Sequence, residues 1–430
     1  MHKYIIKGGN RLRGSVRLKA AKNSVLALIA ASVLTEDDVV LKNCPDLTDI
    51  ANKLKIINGL GAKALYNGED IFINAKNALN TNISKKLAES LRSSFVLLGP
   101  MLSRFKRARI YLPGGCAIGE RPVDIHLSAL RSLNVKIAEN QNAIVCDASE
   151  MRGGDIVFGF PSVGATQNIM MAAVCADGTT RISNAAKEPE ITDLQNLLNA
   201  MGADVSGAGT SVITVKGVKK LSGAAYAPVP DRIVAGTLVI AAAVCGGELT
   251  VQNCRPYQLA ALFGALKNNY CDIECGSDYI KIKSGGRLGA LPDIATDPYP
   301  SFPTDLQPQI TALAAVCDGV TRITERIFEN RFNHAVELEK MGAKIYIDGR
   351  TALIRGVDRL RGAEVTAHDL RCGAALAVAA LKADGISVVN YAERIDRGYE
   401  NFEETLRELG ADIVRVAECS RKPLRKIFDK

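Results

Sequence analysis

The chain has 430 residues, of which 47% are hydrophobic and 23% charged, and its formal net charge is +8. This composition is typical of a globular protein with a sizeable buried core, and it excludes collagen-like, fibrous and wholly disordered chains. The longest apolar run, residues 24–34, is too short to cross a bilayer, and the N-terminus lacks a signal peptide's apolar region and cleavage site. We therefore expect a cytoplasmic protein that does not associate with membranes.

The eleven cysteines and four histidines are scattered and form no CxxC pair. Cys271 and Cys275 are spaced as CxxxC, but no partner pair follows them. The pattern predicts neither a disulfide framework nor a metal site. Nucleic-acid binding is not favoured either, because basic residues are not clustered with stacking aromatics and the chain has no Trp.

The predicted elements follow one another in a repeated order along the chain. An amphipathic helix ends at an LGA-like step, as in residues 188–203, where Pro189 lies near the start and Gly202 just past the end. A hairpin pattern such as AKALY-NGED-IFINA comes next, then a strongly apolar helix such as NIMMAAVCA, and then a strand. The LGA-like steps recur six times, at intervals of 68 to 73 residues: Gly61, Asn134, Gly202, Tyr270, Gly342 and Gly410.

The sixth unit has only one hairpin strand, residues 411–416, and the missing partner resembles the N-terminal segment YIIKGGNRLRG. We therefore expect the first strand to complete the last unit, which joins the chain ends within one domain. Six units divide into two lobes of three. The predicted α/β fold has one lobe of residues 1–21 plus 230–430, a second lobe of residues 22–229, and an active site in the cleft between them.

Polar residues directly precede the apolar helices at equivalent places of the repeat. Because a helix N-terminus favours anions, six such ends converging on the cleft would form an anion site without a metal. The alternative is a structural role, since Ser and Asp are common N-caps and Lys or Arg can be solvated there. The mixed chemistry of the set favours function: Lys22, Arg92, Ser162, Asp231, Asp305 and Arg371.

Two further motifs predict functional residues. Cys116 lies in the glycine-rich segment LPGGCAIGERPVD, where an exposed thiol with cations in reach can donate a proton; the alternative is an unused surface cysteine. Arg397, in RIDRGYE, suits a carboxylate or phosphate, although an Arg at a helix start is often only solvated. Neither GxGxxG after a strand nor GxxxxGK[ST] is present, so those nucleotide-binding devices are not predicted.

These motifs together resemble the UDP-N-acetylglucosamine 1-carboxyvinyltransferases (UDP-N-acetylglucosamine enolpyruvyl transferases), from residue 3 to about 416. The resemblance implies two similar domains, each of three βαβαββ units, arranged as an inside-out α/β barrel. It also implies transfer of the enolpyruvyl group of phosphoenolpyruvate to the 3-hydroxyl of UDP-N-acetylglucosamine through a tetrahedral ketal, with release of phosphate. That reaction is the first committed step of bacterial peptidoglycan (cell wall) synthesis. The segments that resemble the family are KAAKNSVLALIAASVL, LRSSFVLLGPMLSRF, LPGGCAIGERPVDIH, FPSVGATQNIMMAA, EPEITDL, PDRI, FPTDLQPQ, FENRFNH, DLRCGAALA and IDRGYE.

The resemblance also implies roles for individual residues. Lys22, Arg121 and Arg397 would hold phosphoenolpyruvate, with Arg92 and Arg371 on the same anions or on the nucleotide. Asn23 and Asp305 would contact the sugar, and Asp305 would be the base for its 3-hydroxyl. Cys116 would donate the proton, form a covalent phosphoenolpyruvate adduct and be the target of fosfomycin. The nucleotide-sugar wall would comprise Arg121, Pro122, Val123, Asp124, Ile125, Ser162, Val163, Gly164 and Ile327, while Asp49, Glu188, Asp231 and Glu329 match acidic positions of open role.

No cofactor or metal is implied, and protein partners stay open. Glu120 and Val234 depart from the family pattern, and the basic tail beyond Val416 lies outside it. Three alternatives stay open beside this interpretation. They are a 3-phosphoshikimate 1-carboxyvinyltransferase, which lacks the cysteine-bearing loop, a catalytically silent paralogue that binds nucleotide sugar, and a nucleic-acid binder of related fold.

Overall fold

The computed structural model describes residues 2–112, 118–119, 123–140, 143–267 and 271–417. These residues pack into two compact units. The terminal unit comprises residues 2–18, 118–119, 230–267 and 271–417, and the middle unit comprises residues 19–112, 123–140 and 143–229.

Thirteen α-helices occur in the described residues. In chain order they are α1 (Lys22–Ala31), α2 (Thr48–Gly59), α3 (Lys85–Ser90), α4 (Leu98–Phe105), α5 (Asp124–Ser132), α6 (Val163–Ala173), α7 (Pro189–Ala200), α8 (Arg232–Cys245), α9 (Ala260–Leu266), α10 (Gln307–Ala314), α11 (Asn333–Lys340), α12 (Leu370–Lys382) and α13 (Phe402–Glu408). Short 3-10 helices cover Ser32–Leu34, Arg92–Leu97, Pro256–Leu259, Thr304–Leu306 and Ala392–Arg397.

The strands of the described residues are short. In chain order they are β1 (His2–Lys7), β2 (Leu12–Arg17), β3 (Asp38–Leu41), β4 (Lys63–Tyr66), β5 (Ile71–Asn74), β6 (Arg107–Tyr111), β7 (Lys136–Asn140), β8 (Ala143–Asp147), β9 (Asp155–Val157), β10 (Thr179–Ser183), β11 (Asp204–Ser206), β12 (Val212–Lys216), β13 (Ala224–Tyr226), β14 (Gly247–Gln252), β15 (Cys271–Cys275), β16 (Tyr279–Ser284), β17 (Ile294–Thr296), β18 (Val320–Glu325), β19 (Lys344–Asp348), β20 (Thr351–Arg355), β21 (Glu364–Thr366), β22 (Ile386–Asn390) and β23 (Asp412–Ala417).

These strands form six separate sheets, five of them mixed and the three-stranded one antiparallel, and none of them closes on itself within the described chain. Their strand orders are β21-β22-β1-β23, β11-β12-β10-β9, β13-β3-β5-β4, β15-β16-β14-β2, β17-β18-β20-β19 and β6-β8-β7. The architecture is therefore mixed α/β. The inside-out barrel expected from the sequence stays a prediction.

The hairpins and the pairing of the chain ends follow the sequence prediction. β4 and β5 pair antiparallel across the NGED turn, as do β19 and β20 across DGRT. The first strand β1 pairs antiparallel with the last strand β23, with Lys3 opposite Val416 and Ile5 opposite Val414. The expected pairing of the N-terminal strand with the last strand is therefore observed, while the division of the chain into six units stays a prediction.

Each unit is built around its most apolar helices. In the terminal unit α8, α10 and α12 contact one another, and in the middle unit α4 packs on α6. These helices are buried on nearly all sides, which explains why their sequences show almost no polar stripe. The outer helix α7 is different, because only one face of it is apolar. Leu194, Leu197 and Leu198 are buried there, while Asn199 and Ala200 are exposed. None of the described helices is long and apolar enough to span a membrane.

Close approach of α4 and α6 requires a glycine. A Cβ built on Gly99 would lie 2.2 Å from the backbone carbonyl oxygen of Asn168, which a real side chain never does. We predict that Gly99→Ala lowers the free energy of unfolding by about 1–3 kcal/mol, because the backbones of the two helices must separate. Gly264→Ala in α9 is the matched control, since no heavy atom lies within 4 Å of its added Cβ. Equal melting temperatures for the two variants would contradict this account.

Lys53 of α2 is a fully buried lysine. Its Nζ donates a hydrogen bond of 2.6 Å to the carbonyl oxygen of Ser93, and burial lowers its pKa to about 7. In the unfolded chain the amine is exposed and its pKa returns to 10.5, so unfolding takes up a proton between about pH 7 and 10.5. Because protons become scarcer as pH rises, the stability of the wild type increases across this window.

We predict that the wild-type chain gains stability over Lys53→Met as pH rises from 7 to 10, by up to about 1.4 kcal/mol per pH unit. Urea unfolding at several pH values measures this difference. Lys63→Met, at an exposed lysine of β4, should show no such trend. A constant or shrinking difference for Lys53→Met would rule out a buried, proton-releasing amine.

Candidate functional site

The polar residues singled out by the repeat all lie at helix starts. Lys22 opens α1, Arg371 lies in the first turn of α12, and Ser162 and Asp231 are the N-caps of α6 and α8. The remaining two lie in 3-10 turns that run into α4 and α10: Arg92 and Asp305.

In the middle unit, Lys22 forms a buried ion pair. Its Nζ lies 2.7 Å from Oδ2 of Asp49, in the first turn of α2, and the two side chains are 8% and 4% exposed. A pair so far removed from solvent is strongly coupled, because loss of either partner would leave a desolvated charge. The pair fixes an ammonium group at the start of α1, where the next residue, Asn23, is exposed.

Two of the predicted residues act as helix caps. The Oγ of Ser162 accepts a hydrogen bond of 3.3 Å from the N–H of Ala165, and Oδ1 of Asp231 accepts from the N–H groups of Ile233 and Val234 at 2.8 and 3.0 Å. The structural alternative for these two residues, a role as N-caps, is therefore observed. Val163 and Gly164, which follow Ser162 in the first turn of α6, are partly exposed.

A surface cavity of about 570 Å³ lies in the middle unit beside the start of α5. Three of the predicted wall residues, Val123, Asp124 and Ile125, line it on one side. Val157, Phe158 and Gly159, just ahead of the segment that caps α6, line it on another. The lining combines apolar side chains with the carboxylates of Asp124 and Glu139 and the guanidinium of Arg131, a mixture that suits a polar organic molecule.

In the terminal unit, Asp305 is the centre of an ion triad. Its Oδ1 accepts from a guanidinium nitrogen of Arg331 at 2.9 Å, and its Oδ2 accepts from Arg371 at 3.0 Å. Both arginine side chains are 2% exposed, whereas that of Asp305 is 28% exposed. The carboxylate is thus the part of the triad that faces solvent, and the two buried cations fix its orientation.

Arg371 is held from several sides. Its backbone N–H donates to the N-cap Asp369 at 2.8 Å, and its guanidinium lies 5.3 Å from the ring centre of Tyr399. Burial alone would lower the pKa of Arg371, but the neighbouring Tyr399 and Asp305 raise it above its usual value. The guanidinium is therefore a permanent positive charge within the first turn of α12.

One buried carboxylate, that of Glu325, holds the loop after β18 in place through hydrogen bonds. Oε1 of Glu325 accepts hydrogen bonds from the N–H groups of Ile327 and Phe328, at 2.9 and 3.1 Å, and Oε2 accepts from Oγ1 of Thr304. Thr304 is adjacent to Asp305, so the same carboxylate connects this loop to the ion triad. Ile327 is thereby fixed in place through its backbone.

Cys116, Arg121 and Pro122 lie outside the described residues, and so does Glu120. Ile118 and Gly119 belong to the terminal unit, although the predicted domain boundaries place them in the lobe of residues 22–229. The N–H of Asn330 donates to the carbonyl of Ile118 at 3.1 Å. Gly119 has a φ of 140°, and a Cβ there would meet Oε2 of Glu329 at 2.2 Å, so only glycine fits.

Sequence reasoning did not assign a role to Arg331, which the structure places on Asp305. Arg331 lies in FENRFNH, one of the segments that resemble the family, and an arginine within such a segment was the signal that could have identified it. Of the acidic positions with open roles, Asp49 pairs with Lys22, and Glu329 pairs with Arg350 at 3.2 Å. Arg397 ends the 3-10 helix Ala392–Arg397, and Glu188 is the residue before α7.

Comparison with known proteins gives consistent results. Residues 6–406 match the family model described as EPSP synthase (3-phosphoshikimate 1-carboxyvinyltransferase). A UDP-N-acetylglucosamine 1-carboxyvinyltransferase 2 of Caldanaerobacter subterraneus subsp. tengcongensis is 49% identical over 97% of this chain and 100% of its own length. The protein of the same name from Carboxydothermus hydrogenoformans is 47% identical over 97% and 100%. The UDP-N-acetylglucosamine 1-carboxyvinyltransferase of Koribacter versatilis is 44% identical over 98% of both chains.

Solved structures share the fold. The enolpyruvyl transferase NikO from Streptomyces tendae superimposes with a TM-score of 0.86 at 25% identity, covering 96% of this chain and 99% of its own. An EPSP synthase from Acinetobacter baumannii superimposes with a TM-score of 0.75 at 18% identity, covering 97% and 100%. From these matches over nearly the whole chain, we conclude that it belongs to the enolpyruvyl transferase (EPSP synthase) family, among the UDP-N-acetylglucosamine 1-carboxyvinyltransferases.

Proposed function

We propose that this chain transfers the enolpyruvyl group of phosphoenolpyruvate to the 3-hydroxyl of UDP-N-acetylglucosamine and releases phosphate. The observation on which this rests most heavily is the full-length identity of 44–49% to three enzymes with that name. The reaction would make the chain the first committed enzyme of peptidoglycan synthesis, working in the cytoplasm.

The chemistry needs fixed positive charge. Phosphoenolpyruvate and the diphosphate of the nucleotide sugar together bring about five negative charges, and burying them unpaired is prohibitive. In our proposal Lys22, Arg121 and Arg397 hold phosphoenolpyruvate, while Arg92 and Arg371 bind its phosphate or the nucleotide. The buried pairs of Lys22 and Arg371 support this assignment, since their charges are oriented before any ligand arrives.

The reaction proceeds by addition and elimination. C3 of the enolpyruvyl group receives a proton, from Cys116 in our proposal, while the sugar 3-oxygen attacks C2 and gives its proton to Asp305. The resulting tetrahedral ketal loses phosphate from C2 and a proton from C3, which leaves the enolpyruvyl ether. Asp305 suits the role of base because its carboxylate is the exposed member of the ion triad, so a hydroxyl can reach it.

The nucleotide sugar is assigned to the middle unit's cavity and to the loop after β18. The cavity of about 570 Å³ beside Val123–Ile125 supports a place for the nucleotide, with Ser162–Gly164 adjoining it along the chain after Gly159. Asn23, Asp305 and Ile327 would contact the sugar. The six-unit barrel, the two predicted lobes and the cleft between them belong to the same proposal.

We predict that the purified chain releases phosphate from phosphoenolpyruvate only when UDP-N-acetylglucosamine is present. A coupled phosphate assay measures this, with shikimate 3-phosphate as the competing acceptor. Release driven by shikimate 3-phosphate alone would assign the chain to the rival activity. Binding of the nucleotide sugar without any turnover would instead identify a silent paralogue.

We predict that Asp305→Asn lowers kcat by about 10²–10⁴, because the amide cannot accept the hydroxyl proton. Asn keeps an oxygen for one arginine, so melting curves should show a folded protein. Asp204→Asn is the matched control, since Asp204 forms an exposed ion pair with Lys216 at 3.1 Å. A kcat for Asp305→Asn within about threefold of the control would exclude Asp305 as the base.

A further inference from the structure

His126 lies in α5, in a motif whose histidine has no role in the proposed mechanism. Its Nδ1 lies 2.8 Å from Nδ2 of Asn168 in α6. The same Nδ2 donates to the carbonyl of Phe95 at 3.0 Å, and Oδ1 of Asn168 accepts from the N–H of Gly99 at 2.8 Å. These backbone partners fix which end of the amide is nitrogen, so Nδ1 of His126 must accept. The imidazole is therefore neutral, with its proton on Nε2.

The ring is also fixed by packing. Phe95 meets it edge to face, with ring centres 5.1 Å apart and planes at 83°. A Cβ built on Gly164 would lie 3.1 Å from Cε1 and 3.2 Å from Nε2 of His126, so this edge of the imidazole lies against the first turn of α6. Burial, and then the charge of Arg92, lowers the pKa of His126 to about 3.

We propose that His126 is a positioning residue for the nucleotide sugar. As a neutral imidazole, His126 connects the start of α5 to the start of α6 and to the 3-10 helix that begins at Arg92. Residues 123–125, Arg92 and residues 162–164 are thereby held as one surface. This inference rests on the proposed function, which assigns residues 123–125 and 162–164 to the nucleotide sugar and Arg92 to the phosphate of phosphoenolpyruvate or to the nucleotide.

The repeat supports this role independently. Lys53 and His126 stand at the same step of two successive units, eight residues before Gly61 and Asn134. Lys53 also reaches the start of the next inner segment, where its Nζ binds the carbonyl of Ser93, the neighbour of Arg92. In both units a helix thus contributes one polar side chain, fully buried at Lys53 and partly buried at His126, that contacts the start of the next apolar helical segment.

The charge state can be tested without substrate. We expect nitrogen-15 spectra of the histidine-labelled chain, with His126 assigned from the His126→Asn variant, to show a proton on Nε2 and none on Nδ1 down to pH 5. An ordinary histidine titrates near 6.5. A midpoint near that value, or a proton on Nδ1, would overturn the inference whatever the chain catalyses.

The positioning role is tested with two substitutions. His126→Phe keeps a ring against Phe95 but offers no acceptor, whereas His126→Asn can place an amide oxygen near the position of Nδ1. We expect His126→Phe to raise KM for UDP-N-acetylglucosamine about tenfold, with kcat and KM for phosphoenolpyruvate within about threefold of wild type. His126→Asn should restore KM to within about threefold, and His2→Phe, at an exposed histidine, should leave it unchanged.

Equal losses in both His126 variants, or a loss confined to kcat, would overturn the positioning role. Melting curves accompany the kinetics, so that a variant that does not fold is recognised. If wild-type chain shows no turnover with UDP-N-acetylglucosamine, the proposed function fails instead, and the nitrogen-15 result still decides the state of His126.

Discussion

An apolar helix that begins with a charged side chain needs a partner for that charge, because a desolvated ion without one is too costly. The chain meets this constraint in two ways. Asp231 and Asp369 turn their carboxylates onto N–H groups at the start of their own helices. Lys22 and Arg371 instead depend on carboxylates from other segments, 2.7 and 3.0 Å away. The ion pairs of Lys22 and Arg371 keep two cationic groups in fixed positions, and an anionic substrate needs cations that are already oriented.

Asp231 and Asp305, which occupy equivalent places of the predicted repeat, make different contacts. Asp231 precedes α8 directly and places its oxygen on the first turn of that helix. Asp305 lies within a 3-10 turn ahead of α10, and its carboxylate accepts from two arginines. The difference arises from one extra turn of backbone, not from residue type. Asp231 therefore caps its helix, whereas Asp305 presents an oriented and partly exposed carboxylate.

The sequence predicts what its repeated pattern contains and misses contacts that depend on side-chain geometry between elements. The apolar helices, the hairpins and the pairing of the first strand with the last could be predicted, because hydrophobic periodicity and the similarity of the chain ends are visible in the sequence. The contacts of Asp305 with Arg331 and of His126 with Asn168 could not, because they join segments 26 and 42 residues apart by side-chain geometry. The candidate site residues were predicted from residue type and motif and stay predictions, whereas Arg331 and Asn168, which contact Asp305 and His126, were given no role from the sequence.

The fold alone does not select the acceptor. An EPSP synthase and this chain share the architecture at 18% identity, and the family model itself bears the name of the 3-phosphoshikimate enzyme. The acceptor must instead be distinguished by the segments that would touch it. Glu325 fixes the loop of Ile327 through backbone hydrogen bonds, and Asn168 fixes His126 through its amide. Because these anchors bind the backbone or a neighbouring ring, they do not depend on the side chains that we propose to face the acceptor, nor on the ion pairs of Lys22 and Arg371 to which we assign phosphoenolpyruvate.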